Sequence, residues 1–175
     1  MRGAVFFTSK YGSTGQYARW IGEATGLPVF DIRADAADPA DYDFLILASP
    51  VYYYRVTIGK WVRRNLAAFA GKPVVLVTVS GAPPGEKLDG WVGNSLPVEF
   101  VSSMKHVALQ GRQDPKDLTW FDWLMLRIGS LTTTDPKVRG DELRGFDKMD
   151  KAGIEPVVTL AGDLQSDWDN GMSGR

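Results

Sequence analysis

The chain has 175 residues, 20 Lys and Arg against 21 Asp and Glu, a formal charge of -1, one histidine and no cysteine. That length predicts one domain, near the prior of about 150 residues, and the balanced charge gives no large field for steering toward nucleic acid or anionic lipid. The missing cysteines exclude disulfides, thiolate zinc sites, iron–sulfur clusters and redox dithiols, and a lone His106 excludes a multi-histidine centre, so neither a metal nor a nucleic-acid partner is expected.

The first predicted element is a strand, because GAVFFT (3–8) is a nearly continuous apolar run of the kind covered on both faces. Tyr17, Trp20, Ile21 and Ala24 then recur at helical spacing, with Gly26 and Pro28 placed to stop the helix. LPVFDI (27–32) is a weaker strand and DFLILAS (43–49) a strong one. Ile58, Trp61, Val62, Leu66 and Phe69 form a second helical stripe; Thr57 is placed to cap it, Gly71 and Pro73 to end it, and Lys60, Arg63 and Arg64 suit its wet face. PVVLVTV (73–79) and KHVALQG (105–111) complete five strands. Val157, Leu160, Ala161 and Leu164 follow Pro156, which fits the first turn of a closing helix.

Strands alternating with helices predict an α/β fold with a parallel sheet covered on both sides. Two long connections, near 81–104 and 112–153, break the rhythm, and long connections are often functional. The expected organisation is a single domain over 1–166 carrying those two insertions, with a flexible tail at 167–175. The chain starts directly into a strand without a signal pattern, and no apolar run reaches the roughly 18 residues of a membrane span, so the expectation is a soluble cytoplasmic protein.

In an open parallel sheet a ligand sits outside the carboxyl ends of the strands. The loop after the first strand, TSKYGST, leads into a helix there, and Ser9, Ser13 and Thr14 supply hydroxyls while Gly12 lets backbone approach closely. Such a turn either cradles a phosphate or merely caps the helix through Ser13 or Thr14. Neither the NTP-loop pattern G-x-x-x-x-G-K-[ST] nor the dinucleotide fingerprint G-x-G-x-x-G occurs.

The TSKYGST pattern resembles the phosphate loop of the flavodoxin-like FMN-binding family, and the resemblance covers nearly the whole chain. It implies a flavodoxin-like three-layer sandwich with a five-stranded parallel sheet in the order 2-1-3-4-5, as in the known example of flavodoxin with FMN at the switch point. It also implies that Ser9, Lys10, Tyr11, Gly12, Ser13 and Thr14 surround the phosphate of FMN. The loop SPVYYYRVT (49–57) would bring Pro50, Val51, Tyr52, Tyr53 and Tyr54 to the isoalloxazine ring. SGAPPG (80–85) would bring Ser80, Gly81 and Ala82 to the ring edge. Ordinary packing of the tyrosines and a plain turn are the alternatives for these two loops.

With flavin carrying the chemistry, no catalytic side chain is expected. Residues 49–57 hold Arg55 and no acid, so a less negative potential than that of an acidic electron carrier is expected. In WFDWLMLRI (120–128), Phe121, Leu124, Met125 and Ile128 form one stripe while Trp120, Trp123 and Arg127 fall elsewhere. That surplus apolar surface suits a partner, a bilayer surface, a flat substrate or a second buried face. Together with LTTTDPKV (131–138), this arrangement looks like the menaquinone-linked protoporphyrinogen oxidase branch. The resemblance implies FMN-dependent oxidation of a large flat substrate with a quinone acceptor, in haem biosynthesis, peripheral to the inner membrane face. Two alternatives are an electron carrier between protein partners and an interaction module that has lost its flavin. His106, near the start of a strand, reads as structural, and Asp114, Asp117 and Asp122 read as solvated acids.

Overall fold

Neighbouring residues of the apolar runs face opposite layers, and this builds two cores around one sheet. The structure of the chain, a computed structural model, describes residues 1–122, 124 and 145–172. Its strands are β1 (Gly3–Phe7), β2 (Val29–Asp31), β3 (Phe44–Tyr52), β4 (Arg55–Val56), β5 (Val74–Ser80), β6 (Met104–Gln110), β7 (Arg112–Gln113) and β8 (Phe146–Asp147). Its helices are α1 (Ser13–Thr25), α2 (Gly59–Arg64), α3 (Leu66–Phe69), α4 (Glu86–Ser95), α5 (Val98–Ser103) and α6 (Glu155–Met172). The long strands pair in parallel in the order β2-β1-β3-β5-β6, with β4 folding back antiparallel on β3. Leaving out that short return, this is the expected order 2-1-3-4-5.

Val5, Phe44, Ile46, Ala48, Val75 and Val77 pack on one face with Tyr17, Ala18 and Ile21 of α1 and Val157 and Ala161 of α6. Ala4, Phe6, Leu45, Leu47, Val74 and Leu76 pack on the other with Ile58, Val62, Phe69, Val92 and Phe100. Both faces of the sheet are therefore covered, which is why the strands read as unbroken apolar runs. α1 ends on Gly26 in the left-handed region (φ 70), its N–H returning to the Gly22 carbonyl. α6 follows a 3-10 turn, Lys151–Ile154, whose Ala152 N–H donates to the Asp150 side chain.

Several elements end or break where the apolar pattern does not mark it. β3 continues through Pro50 and Val51 to Tyr52, so these three residues stand in the strand rather than in a loop. Pro50 is tolerated because its carbonyl accepts from Thr57 N–H, and its nitrogen faces that same side, past Ala48, the last residue of β3 paired with β1. The helix predicted from Ile58 to Phe69 is two short helices, broken at Asn65, whose side-chain amide donates 2.9 Å to the Trp61 carbonyl and competes with the backbone. Thr57 does not cap α2; its hydroxyl lies 3.3 Å from Ser49 Oγ, which accepts from Ile58 N–H. The connection near 81–104 is mostly helical, as α4 and α5, where glycines and polar residues left few buried apolar anchors, Leu88, Val92, Leu96 and Phe100. The second connection begins with β7, which pairs antiparallel with β8. α6 runs to Met172, into the stretch expected as a tail.

Candidate functional site

At the carboxyl edge of the sheet, β1 gives way to the loop of Thr8–Gly12. Gly12 precedes α1 with φ 91, a left-handed conformation that favours glycine, and the space where a Cβ would stand is open. Its N–H donates 3.2 Å to Ser9 Oγ, and its carbonyl accepts from Gln16 N–H at 2.9 Å, the first bond of the helix. No side chain caps α1 and no acid stands in its first turn. The amides of Ser13, Thr14 and Gly15 therefore lack an intrahelical acceptor and lie at the positive end of the helix dipole.

The capping alternative for Ser13 and Thr14 does not describe this turn. Ser13 Oγ donates to the Arg112 carbonyl and accepts from Arg112 N–H, both at 3.2 Å, joining α1 to β7. Thr14 is 2% exposed, and its hydroxyl has no hydrogen-bond partner among the described residues.

The side chains of Lys10 and Tyr11 both bond a residue that reads from sequence as solvated. Asp122 is 7% exposed, and its carboxylate accepts from Lys10 Nζ, Tyr11 OH, Tyr53 OH and Thr119 Oγ1, the last at 2.8 Å. Burial pushes the Asp122 carboxyl up, but the four donors outweigh it and hold the group well below the usual carboxylate range. Part-burial and the bond to Asp122 push the Tyr53 phenol far above its ordinary value. Burial, with the nearby phenols and Asp122, does the same to Tyr52. Lys10 Nζ also stands 5.3 and 5.6 Å from the ring centroids of Tyr11 and Tyr52, which meet edge to face. Asp114 and Asp117 are exposed, as expected of solvated acids.

β3 turns back into β4 through two residues, Tyr53 (φ 49) and Tyr54 (φ 64). Two-residue hairpins of this hand are ordinarily built from Asn-Gly or Asp-Gly. Tyrosine there carries strain of order 1–3 kcal/mol per residue, and such strain concentrates at functional sites. Both rings are exposed, at 49% and 65%. Tyr54 packs on Trp91 of α4 with centroids 5.0 Å apart, while Tyr53 is held by Asp122.

At the end of β5, Ser80 Oγ donates 3.1 Å to the Ala82 carbonyl of the following loop, and Gly111 N–H donates 2.9 Å to the Ser80 carbonyl. A Cβ on Gly81 would meet the Phe146 ring at 2.6 Å, so this glycine makes room for β8. His106 sits in β6 with Nε2 2.8 Å from Thr78 Oγ1 and Nδ1 3.2 Å from Asp89 Oδ1, a structural setting. Thus the phosphate-loop residues and the tyrosine turn share one corner, Pro50 and Val51 lie behind it in β3, and Ser80, Gly81 and Ala82 line the adjoining loop. Of the 120–128 stripe, Trp120 (73% exposed) and Phe121 (55%) border Asp122; Trp123, Met125, Arg127 and Ile128 lie outside the described residues, as does LTTTDPKV (131–138).

A family comparison matches residues 4–138 to the flavodoxin domain, and the chain belongs to that family. Among solved structures it is similar to the two-electron reduced flavodoxin of Megasphaera elsdenii, at 20% identity over 59% of this chain and 82% of that one, with a TM-score of 0.44. It is similar to the Trp repressor binding protein from Bacillus subtilis, at 18% identity over 85% and 99% of the two chains, TM-score 0.45. A third likeness is to the FMN-dependent NADH-azoreductase from Bacillus anthracis, at 7% identity over 94% and 99%, TM-score 0.46. No curated protein matches significantly. FMN is the cofactor of the flavodoxin family, and the residues present fit it. An uncapped helix start, an open left-handed Gly12 and the Thr14 hydroxyl, which no described residue engages, form a donor set for a dianion, beside aromatic rings suited to a flat heterocycle.

Proposed function

We propose that this chain is an FMN-dependent oxidoreductase that moves electrons between a flat organic substrate and a quinone-type acceptor, similar to the menaquinone-linked protoporphyrinogen oxidases. When bound, FMN supplies the one- and two-electron chemistry. The amides of Ser13, Thr14 and Gly15, with the hydroxyls of Ser9 and Thr14, hold its phosphate. Tyr52 and Tyr53 flank the ring, and the backbone of Ser80, Gly81 and Ala82 borders its edge. Each turnover removes two electrons and two protons from the substrate and delivers both pairs to the quinone, giving the hydroquinone. No side chain is asked to act as acid or base.

The observation that carries this reading is the exposed aromatic corner. Tyr53, Tyr54, Trp120 and Phe121 all stand open to solvent, Tyr53 bonded to Asp122 and Trp120 and Phe121 directly before it in the chain. Flat apolar molecules, including a quinone drawn from a membrane surface, match such a platform. Among the described residues no helix is long and apolar enough to cross a membrane.

The test is to load the purified chain with FMN and mix it, with no protein partner present, with a reduced porphyrinogen and a soluble quinone. Porphyrin fluorescence should rise with turnover, at a rate that depends on the quinone. A flavin that is bound yet exchanges electrons only when a redox protein is added would replace this reading with that of a carrier.

A further inference from the structure

Asp122 belongs to neither cofactor loop, yet it touches both. Its carboxylate arrives from the segment after β7 and accepts from Lys10 and Tyr11 of the β1 loop and from Tyr53 of the β3 turn. Thr119 closes the cluster from the same segment: its hydroxyl donates to Asp122 and accepts from Asp122 N–H, and its own N–H donates 3.3 Å to Tyr11 OH. Tyr53 sits in a turn whose backbone no bulky residue prefers, so something outside the turn must hold its ring. Among the described residues the Tyr53 phenol donates to Asp122 alone, and Asp122 is itself nearly inaccessible.

We propose that Asp122 is a positioning residue for the flavin: a single buried carboxylate clasps the phosphate loop to the tyrosine turn and holds the Tyr53 ring beside the crevice. Its second effect is electrostatic. By pairing with Lys10 it keeps that ammonium from acting as an unbalanced positive charge near the cofactor. The inference rests on the FMN reading given above and adds to it a residue outside every loop that the family pattern marks.

The test uses Asp122→Asn, Asp122→Glu, Tyr53→Phe and the double variant Asp122→Asn/Tyr53→Phe, each without and with FMN. In the cofactor-free protein, hydrogen exchange over residues 113–122 should speed up about tenfold or more in Asp122→Asn, with the sheet strands unchanged as a check on folding. With FMN, Asp122→Asn should weaken binding about tenfold, alter the visible circular dichroism of the bound flavin and raise its reduction potential. Asp122→Glu should restore part of each. Because both single changes break the same bond, the double variant should bind no more weakly than the worse single one. Affinity, dichroism and potential all equal to wild type in Asp122→Asn overturn the proposal while leaving FMN binding intact. A wild-type chain that takes up no FMN overturns the cofactor reading and the role of Asp122 toward the ring together, even where hydrogen exchange shows the clasp itself.

Discussion

Thr14 and Asp122 mark the two ends of what single residues disclose. Thr14 was open to a local reading: a hydroxyl two residues past a loop glycine, at a helix start, after a strand, suits either a cap or an anion, and no side chain caps this helix. Removing it in Thr14→Ala should take away one hydrogen bond to a charged group, roughly 1.5–3 kcal/mol, and weaken FMN about ten- to a hundredfold. Flavin fluorescence quenching measures this, and unaltered affinity would move the phosphate elsewhere. Asp122 was not legible, because its partners lie 112, 111 and 69 positions away and nothing in its neighbourhood announces them. It is the residue to test with acid. A carboxyl held below its ordinary value contributes stability that is complete above that value, near 3.8, and is lost as the pH falls through the lowered one. The stability difference between wild type and Asp122→Asn should therefore hold steady from pH 7 to about 5 and shrink below about 4. A gap that widened on acidification, seen in urea melts, would show that the carboxylate is not held in its charged form.

Elements were legible where burial repeats and illegible where side chains compete with backbone. The β1, β3 and β5 runs are apolar without interruption because helices cover both faces, and their positions follow from that alone. The stripe from Ile58 to Phe69 has helical spacing throughout, yet the Asn65 amide bonds the Trp61 carbonyl and breaks it. The Tyr53–Tyr54 turn shows the same limit: three tyrosines suggest a platform, but not that two of them would take left-handed backbone at the tip of a hairpin. Replacing them by the residues that this turn prefers, Tyr53→Asn with Tyr54→Gly, should relieve strain of order 1 kcal/mol or more, since both rings are largely exposed and lose little packing. The urea midpoint should rise while flavin affinity falls, the exchange of stability for function that strained sites exhibit. A lower midpoint would mean that the ring contacts with Trp91 and Asp122 outweigh the strain.

At the scale of the whole molecule, the near balance of 20 basic and 21 acidic residues bears on how the electrons leave. A carrier that docks through a charged face slows steeply as salt rises, whereas a small neutral acceptor does not sense the field. Turnover with a quinone should change by less than about twofold between low and high ionic strength in stopped-flow traces; a steep fall would favour docking to a charged protein. The pairing of Asp122 with Lys10 leaves Arg55, in β4, as the charge that residues 49–57 contribute to that corner. A flavin potential less negative than that of an acidic carrier is accordingly expected in a redox titration.

The order of the chain gives the clasp a further significance. All five long strands precede residue 111, so the sheet, the uncapped start of α1 and the tyrosine turn are synthesised before Asp122 emerges to bind them. Assembly thus has a built-in order, the strands first, the clasp next and α6, which covers one face of the sheet, last, and a nascent chain stalled before residue 122 would carry its tyrosines untethered.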